Sequence, residues 1–240
     1  MVDRLIQIAS INSGTSNQDG VARVAEIVAG WFDEISERVD RVPMPDVESV
    51  NDLGELLQRS FANAVVARRR VNAKHRVLLS IHLDTVYGPE HSFQDVWHES
   101  ENVLRGPGVA DAKGGLVVLI EGLRRFESAL AESELTDCDV GWTAVLTPDE
   151  EIGSISSSPF LHEVAQEADI GLVYEPTLPD GTLIESRKGS GNFAVVVRGR
   201  SAHAGREIQR RPRLSRRAFQ RPRPRSRDHA RNGVGHRVVD

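Results

Sequence analysis

Apolar residues recur at helical spacing in two stretches near the N-terminus. One is Asp3–Ser10; the other, Gln18–Ser36, sets Val21, Val24, Ala25, Ile27, Val28, Trp31 and Phe32 along one face. Residues Arg41–Glu55 read as a strand end followed by an acidic loop holding Pro43 and Pro45, and Phe61–Arg68 as a strand. Val77–Val86 is a stronger strand. Its nearly continuous apolar run, Val77, Leu78, Leu79 and Ile81, is the pattern of a strand buried on both faces. Leu116–Leu130 is helical, with Leu116, Leu119, Leu123, Phe126 and Leu130 in register. A second buried strand is predicted at Val140–Leu146, a helix at Pro159–Ala168, and a third buried strand at Ile170–Tyr174. Strands alternating with helices predict an α/β sheet with helices on its faces.

The pattern changes at Gly181. Leu183–Lys188 and Asn192–Arg200 read as two strands joined by Gly189-Ser190-Gly191, the opening of a new β-containing subdomain that stops after Gly205. Residues 206–240 hold 12 Arg, no Lys and 3 acids, with only eight scattered apolar residues and the run Arg221-Pro222-Arg223-Pro224-Arg225. Such a stretch buries too little surface to offset its ordering entropy, so disorder is expected. The expected organisation is residues 1–182 as one domain, 183–205 as the start of a second, and 206–240 as a tail. No repeat of solenoid length occurs.

Charge sharpens that division. The net charge of −5 is the sum of a tail at +9 and a remainder at −14. The tail has a single aromatic residue, Phe219. It lacks the interleaved aromatics of a single-strand binder, and no nucleic-acid partner is expected. Hydrophobic content of 39% supports a core. No run of 18 apolar residues occurs, so no membrane partner is expected. A lone cysteine, Cys138, excludes an internal disulfide and a cysteine-rich metal site. No signal peptide is evident, which makes a cytoplasmic location the expectation.

The residues that carry chemistry sit at the C-terminal ends of the buried strands, where open α/β sheets place their sites. His82 and Asp84 are two apart on a strand, so both face one side and can touch. The carboxylate can then accept one imidazole N–H and aim the other nitrogen at a metal. A surface pair at a strand end is the plain alternative. Asp111 stands where the glycine-rich loop Gly106-Pro107-Gly108-Val109-Ala110 runs into a helix. The alternatives there are a helix cap or a phosphate loop, and neither phosphate-loop spacing is present. Asp149, Glu150 and Glu151 follow a buried strand directly, a costly arrangement unless cations neutralise it, or else a solvated acidic turn. Glu175, in Tyr174-Glu175-Pro176, is an acid at the end of the third buried strand. One histidine and several carboxylates at successive strand ends suit zinc, with cobalt or manganese as substitutes.

These segments resemble a known family. His82-Leu83-Asp84-Thr85-Val86, Gly106 to Gly115, Asp149 to Ser154, Tyr174-Glu175-Pro176 and Ser201-Ala202-His203-Ala204-Gly205 are similar to the zinc metallopeptidase/deacylase family of glutamate carboxypeptidase, acetylornithine deacetylase, succinyl-diaminopimelate desuccinylase and aminoacylase. Ile11-Asn12-Ser13-Gly14-Thr15 leans toward the glutamate carboxypeptidase branch. The resemblance covers about residues 3–205. It implies a zinc-peptidase-like three-layer α/β sandwich with a central, mostly parallel sheet, incomplete here, plus the first strands of an α+β lid. It further implies that His82 and Glu175 bind one zinc, that Glu151 binds the other, and that Asp111 bridges both, with a cis peptide bond at Asp111–Ala112. Asp84 would orient His82, Glu150 would be the general base, and His203, from the lid, would stabilise the oxyanion. The implied reaction is cleavage of an amide in a small peptide or N-acyl amino acid by water activated between two Zn2+, or Co2+, ions. The lid implies a homodimer.

The sequence also departs from the family. There the lid runs on for roughly a hundred residues, within ordinary domain size, and supplies an arginine for the substrate carboxylate. A late histidine then completes the second zinc site. His229 and His236 do not stand in that histidine's setting. The Arg/Pro-rich tail is what out-of-frame GC-rich DNA encodes, so a frameshift or truncation after about residue 205 is expected, and the 240-residue chain is expected to be inactive. The alternative function is therefore a catalytically inert fragment or pseudoenzyme that keeps partial zinc binding.

Overall fold

The computed structural model describes residues 1–51, 54–133, 138–178 and 180–186. Contacts divide the chain into two units, Met1–Val47 with Arg59–Ile184, and Glu48–Gln58 with the chain from Glu185 on. The first holds the sheet and its helices. The described part of the second is mainly a short ribbon.

Helices α1 (Val2–Ala9) and α2 (Gln18–Asp33) form where the apolar spacing places them. Asn17 starts α2, its side chain accepting the Gly20 N–H at 3.1 Å and so satisfying one otherwise unpaired donor. Strand β1 (Arg38–Val42) follows. The acidic loop expected in this region instead pairs β2 (Val47–Val50) with β3 (Leu56–Arg59). Strands β4 (Ala64–Arg69) and β5 (His75–His82) are the two predicted from their apolar runs. A second ribbon, β6 (Trp97–Ser100) with β7 (Val103–Arg105), has mostly exposed residues and carries no clear alternation in the sequence. Helix α3 (Lys113–Glu132), strand β8 (Val140–Thr147), helix α4 (Ser158–Ala165) and strand β9 (Ile170–Val173) complete the unit.

The five-stranded sheet has the order β1-β4-β8-β5-β9. The β8–β5–β9 part is parallel, while β1 and β4 run antiparallel to their neighbours. Helices lie on both faces, giving three layers. On one face Ile8, Val24, Phe32, Leu116 and Ile120 meet Ala67, Leu79, Ile81 and Leu146 in a single apolar cluster. Burying a side chain such as Phe32 contributes roughly 1.5–3 kcal/mol. On the other face Phe160, Leu161 and Val164 of α4 pack on Val66, Leu78 and Val145. A part-buried ion pair ties α3 to the base of the sheet. Glu127 takes both guanidinium nitrogens of Arg70, at 2.5 and 2.7 Å, and the Trp142 indole N–H at 2.8 Å.

Two strand expectations are corrected. Strand β9 exists, but all four of its residues are exposed. Among the described residues it is an edge strand paired with β5 alone, and its apolar faces are open. Leu183–Ser186, the described part of the strand expected at 183–188, has no regular structure. The remainder of that strand, the strand at 192–200, His203 and the tail from 206 lie outside the described residues.

Candidate metal centre

Register brings the expected residues to one edge. In the parallel pairing His82 lies opposite Thr147, the last residue of β8, and Ser80 lies opposite Val173, the last of β9. His82, the Asp149–Glu151 turn and Glu175 therefore leave the sheet at the same C-terminal edge. Asp111 arrives from the loop before α3. The Asp111–Ala112 peptide is cis, as the family resemblance implied. Helix α3 is capped at Ala112 with no side-chain cap, so Asp111 does not serve as an ordinary helix cap. A side chain at Gly115 would collide with the Tyr174 carbonyl oxygen. Glycine there lets the start of α3 lie directly on the chain leading to Glu175.

His82 is buried and is the hub of the cluster. Its Nδ1 faces Asp84, 3.0 Å from the backbone carbonyl and 3.3 Å from Oδ1. With that nitrogen held by Asp84, Nε2 is the ring nitrogen that faces the cluster. Nε2 faces Asp111 Oδ1 at 3.0 Å, Glu175 Oε1 at 3.6 Å and Glu150 Oε2 at 3.9 Å. His82, Asp111 and Glu151 each offer a donor atom, all within 4.8 Å of one another.

The three adjacent acids divide. Asp149 is fully buried and accepts the backbone N–H groups of Ser156 at 2.7 Å and Ser157 at 3.1 Å. Both bonds fall on Oδ2, which the loop therefore holds in place. Glu150 and Glu151 begin a short 3-10 turn, Glu150–Ile152, on the cluster side. Asp84 holds that turn, accepting the Glu150 N–H on Oδ1 at 3.2 Å and the Glu151 N–H on Oδ2 at 3.3 Å.

The electrostatics follow from this crowding. Burial works to lower the His82 pKa, but hydrogen bonds and charge from Asp84 and Glu175 outweigh it and hold it up to about 11. Glu151 is pushed up to about 7 by burial and by Asp111, Asp84 and Glu150, against the opposing pull of His82. Glu150 is raised by burial and then by Glu175, Asp84 and Asp111, again with His82 opposing. A cluster that binds protons this firmly is rich in negative charge and nitrogen and oxygen donors. That donor set fits a divalent cation of the zinc, cobalt or manganese type.

The sequence reading assigned no role to two residues beside this cluster. Lys113 is fully buried, donates from Nζ to the Ile11 carbonyl at 2.9 Å, and is lowered by burial to about 8. Thr15 donates from Oγ1 to Asp84 Oδ2 at 2.7 Å. Both lie inside motifs quoted for the family, which was the only signal that could have found them.

The arrangement is a mixed α/β sheet with a cluster of one histidine and several carboxylates at its C-terminal edge. The sequence model of peptidase family M20/M25/M40 matches residues 78–219, and the chain belongs to that family. Among characterised relatives, Carboxypeptidase G2 of Pseudomonas sp. (strain RS-16) is 27% identical over 208 residues, 85% of this chain and 46% of that protein. The acetylornithine deacetylase of Edwardsiella ictaluri (strain 93-146) is 27% identical over 198 residues, 81% of this chain and 46% of that protein. The chain thus spans about half the length of these relatives. Two solved structures share the fold, each with a TM-score of 0.56: human carnosine dipeptidase 1, and the M20 family metallo-carboxypeptidase Sso-CP2 from Sulfolobus solfataricus. The first is 18% identical over 72% of this chain and 37% of its own, the second 19% over 75% and 38%. Among the described residues no helix is long and apolar enough to cross a membrane.

Proposed function

We propose that this centre belongs to a metal-dependent amide hydrolase acting on a small peptide or N-acyl amino acid. The observation that carries the reading is the convergence of Asp111, Glu175 and Glu150, from three separate segments, on the free nitrogen of a buried histidine. His82, Asp111 and Glu175 would hold one zinc, and Asp111 with Glu151 the other. Bound there, the metal pair supplies Lewis acidity and lowers the pKa of water toward neutrality.

The chain's own residues supply the rest. Asp84 fixes the imidazole so that Nε2 points into the centre. Glu150, half exposed at its mouth, takes the proton of the attacking water and returns it to the leaving nitrogen. His203, from a lid beginning at residues 183–205, opposes the charge that develops on the carbonyl oxygen. The lid would also form a homodimer.

A second reading is a metal-binding chain without turnover. It is favoured by the change to Arg-rich composition at about residue 205, where the motifs shared with the family stop. One assay separates the two. Release of amino acid from N-acyl and glutamyl amides is measured for the 240-residue chain and for a frame-restored chain continuing past Gly205. Zinc-dependent release by the restored chain, abolished by Glu150→Gln, supports the hydrolase. Absence of release from the restored, folded and zinc-loaded chain would leave only the second reading. Substantial His82-dependent release by the 240-residue chain would overturn the view that its tail replaces needed residues.

A further inference from the structure

Ile11-Asn12-Ser13-Gly14-Thr15 connects α1 to α2, yet its hydrogen bonds go to the strand end that carries His82. Gly14 forms a parallel bridge with Thr85. The Thr85 N–H donates to the Ser13 carbonyl at 2.9 Å, and the Thr15 N–H donates to the Thr85 carbonyl at 3.2 Å. The buried Ser13 hydroxyl donates to the Leu83 carbonyl at 3.0 Å. At one end of the segment Lys113 Nζ donates to the Ile11 carbonyl. At the other the Thr15 hydroxyl reaches Asp84. A Cβ at Gly14 would lie 2.5 Å from the Tyr87 carbonyl oxygen, so the segment cannot be this close with any larger residue there.

The carboxylate of Asp84 is fully buried and shared among four donors. Oδ1 faces His82 Nδ1 at 3.3 Å and the Glu150 N–H at 3.2 Å. Oδ2 takes the Glu151 N–H at 3.3 Å and the Thr15 hydroxyl at 2.7 Å. Thr15 makes the shortest of these contacts. A buried anion needs its lone pairs filled, and losing a partner leaves it free to turn toward the remaining donors.

We propose that Ile11–Thr15 is a positioning clasp for the metal centre, in which Thr15, through Asp84, sets the orientation of both His82 and the Glu150–Glu151 turn. Thr15 itself is a positioning residue and touches neither metal nor substrate. The inference rests on the reading that His82 is a metal ligand. It goes further by assigning a role to a segment distant in sequence from every ligand. The Thr15–Asp84 hydrogen bond spans 69 positions.

The test is a Co2+ titration of the 240-residue chain, following binding by calorimetry and the visible d–d spectrum of the bound ion. Thr15→Val keeps the shape and removes the hydroxyl. It is expected to weaken Co2+ binding roughly tenfold, the low end of what losing an outer partner of a ligand costs, and to alter the d–d spectrum. Thr15→Ser keeps the hydroxyl and is expected to restore both. Should Thr15→Val not accumulate as folded chain, Thr15→Ala removes the same hydroxyl and is read in its place. Ser13→Ala is the control, since it breaks a buried hydrogen bond of the clasp without touching Asp84. Reduced stability with unchanged Co2+ affinity is expected for it. If the hydroxyl-free variants bind Co2+ as the parent does, or if Ser13→Ala weakens binding equally, the clasp is only a tether and the inference is overturned. If the parent chain binds no Co2+ at His82, the metal reading itself fails, and the two failures are distinct.

Discussion

Asp111 Oδ1 lies 3.0 Å from His82 Nε2, although the residues are 29 positions apart and lie on different elements. The contact needs the end of β5 and the loop before α3 to meet at one sheet edge. It is the shortest contact of Nε2 with any of the acids around it.

That contact makes His82 the first residue to remove. His82→Ala is expected to lower zinc affinity by more than about a hundredfold, since it deletes the one nitrogen donor that the described residues bring to the cluster. Calorimetry or metal analysis after dialysis reads the effect. Unchanged stoichiometry and affinity would place the metal elsewhere.

Glu150 and Glu151 are adjacent but should separate by function. In a frame-restored chain, Glu150→Gln is expected to keep its metal and lose about 10²–10⁴-fold in kcat, the usual worth of a general base. Glu151→Ala is expected to lose one metal ion per chain. Near-normal turnover by Glu150→Gln would assign the base to another group.

Gly115→Ala tests how α3 is seated. The added methyl meets the Tyr174 carbonyl and must push the start of α3 away from the chain leading to Glu175. A destabilisation of about 1–3 kcal/mol is expected, as for overpacking a tight contact. A matching loss of metal affinity is expected as Asp111 and Glu175 separate. Urea unfolding and zinc titration on the same sample decide it, and a neutral effect on both would show that the helix start has slack.

The Glu127–Arg70 pair gives a prediction about acid. Burial works to raise the Glu127 pKa, but Arg70 and Trp142 outweigh it and hold it below the ordinary 4.5. A depressed native pKa means the stabilisation is complete above that ordinary value and is lost as pH falls through the native one. Glu127→Gln is expected to cost about 1–3 kcal/mol at neutral pH, because the part-buried guanidinium groups of Arg70 and Arg69 lose their buried anionic partner. The gap between variant and parent should then narrow below pH ~4 as the parent protonates. A gap that stays constant down to acid-unfolding conditions would mean the pair contributes through packing rather than charge.

Much of the centre was legible because its signals are local. Apolar runs such as Val77–Ile81 mark strands by composition alone, and an acid or histidine directly after such a run is placed at a strand end by the chain itself. The ribbons β2–β3 and β6–β7 were not legible, because their short strands are mostly exposed and carry no period-two alternation. The burial of β9 was misjudged for a related reason. Four apolar residues define a strand but do not say what lies on its faces, and β9 is an edge.

By itself the sequence determined the four helices and the sheet strands β4, β5, β8 and β9, that His82, Asp111, Glu150, Glu151 and Glu175 stand at strand and loop ends, and which family they resemble. Spacing along one chain settles these, since periodicity and strand-end position are properties of neighbouring residues. Only the tertiary structure decided what each acid faces. Asp149 turns inward to the Ser156 and Ser157 N–H groups, while Glu150 and Glu151 turn to the cluster. Only it showed that Thr15 and Lys113 reach across the chain to the Asp84 carboxylate and the Ile11 carbonyl. Those partners lie 69 and 102 positions away, and no local pattern encodes a contact made by the packing of separate elements.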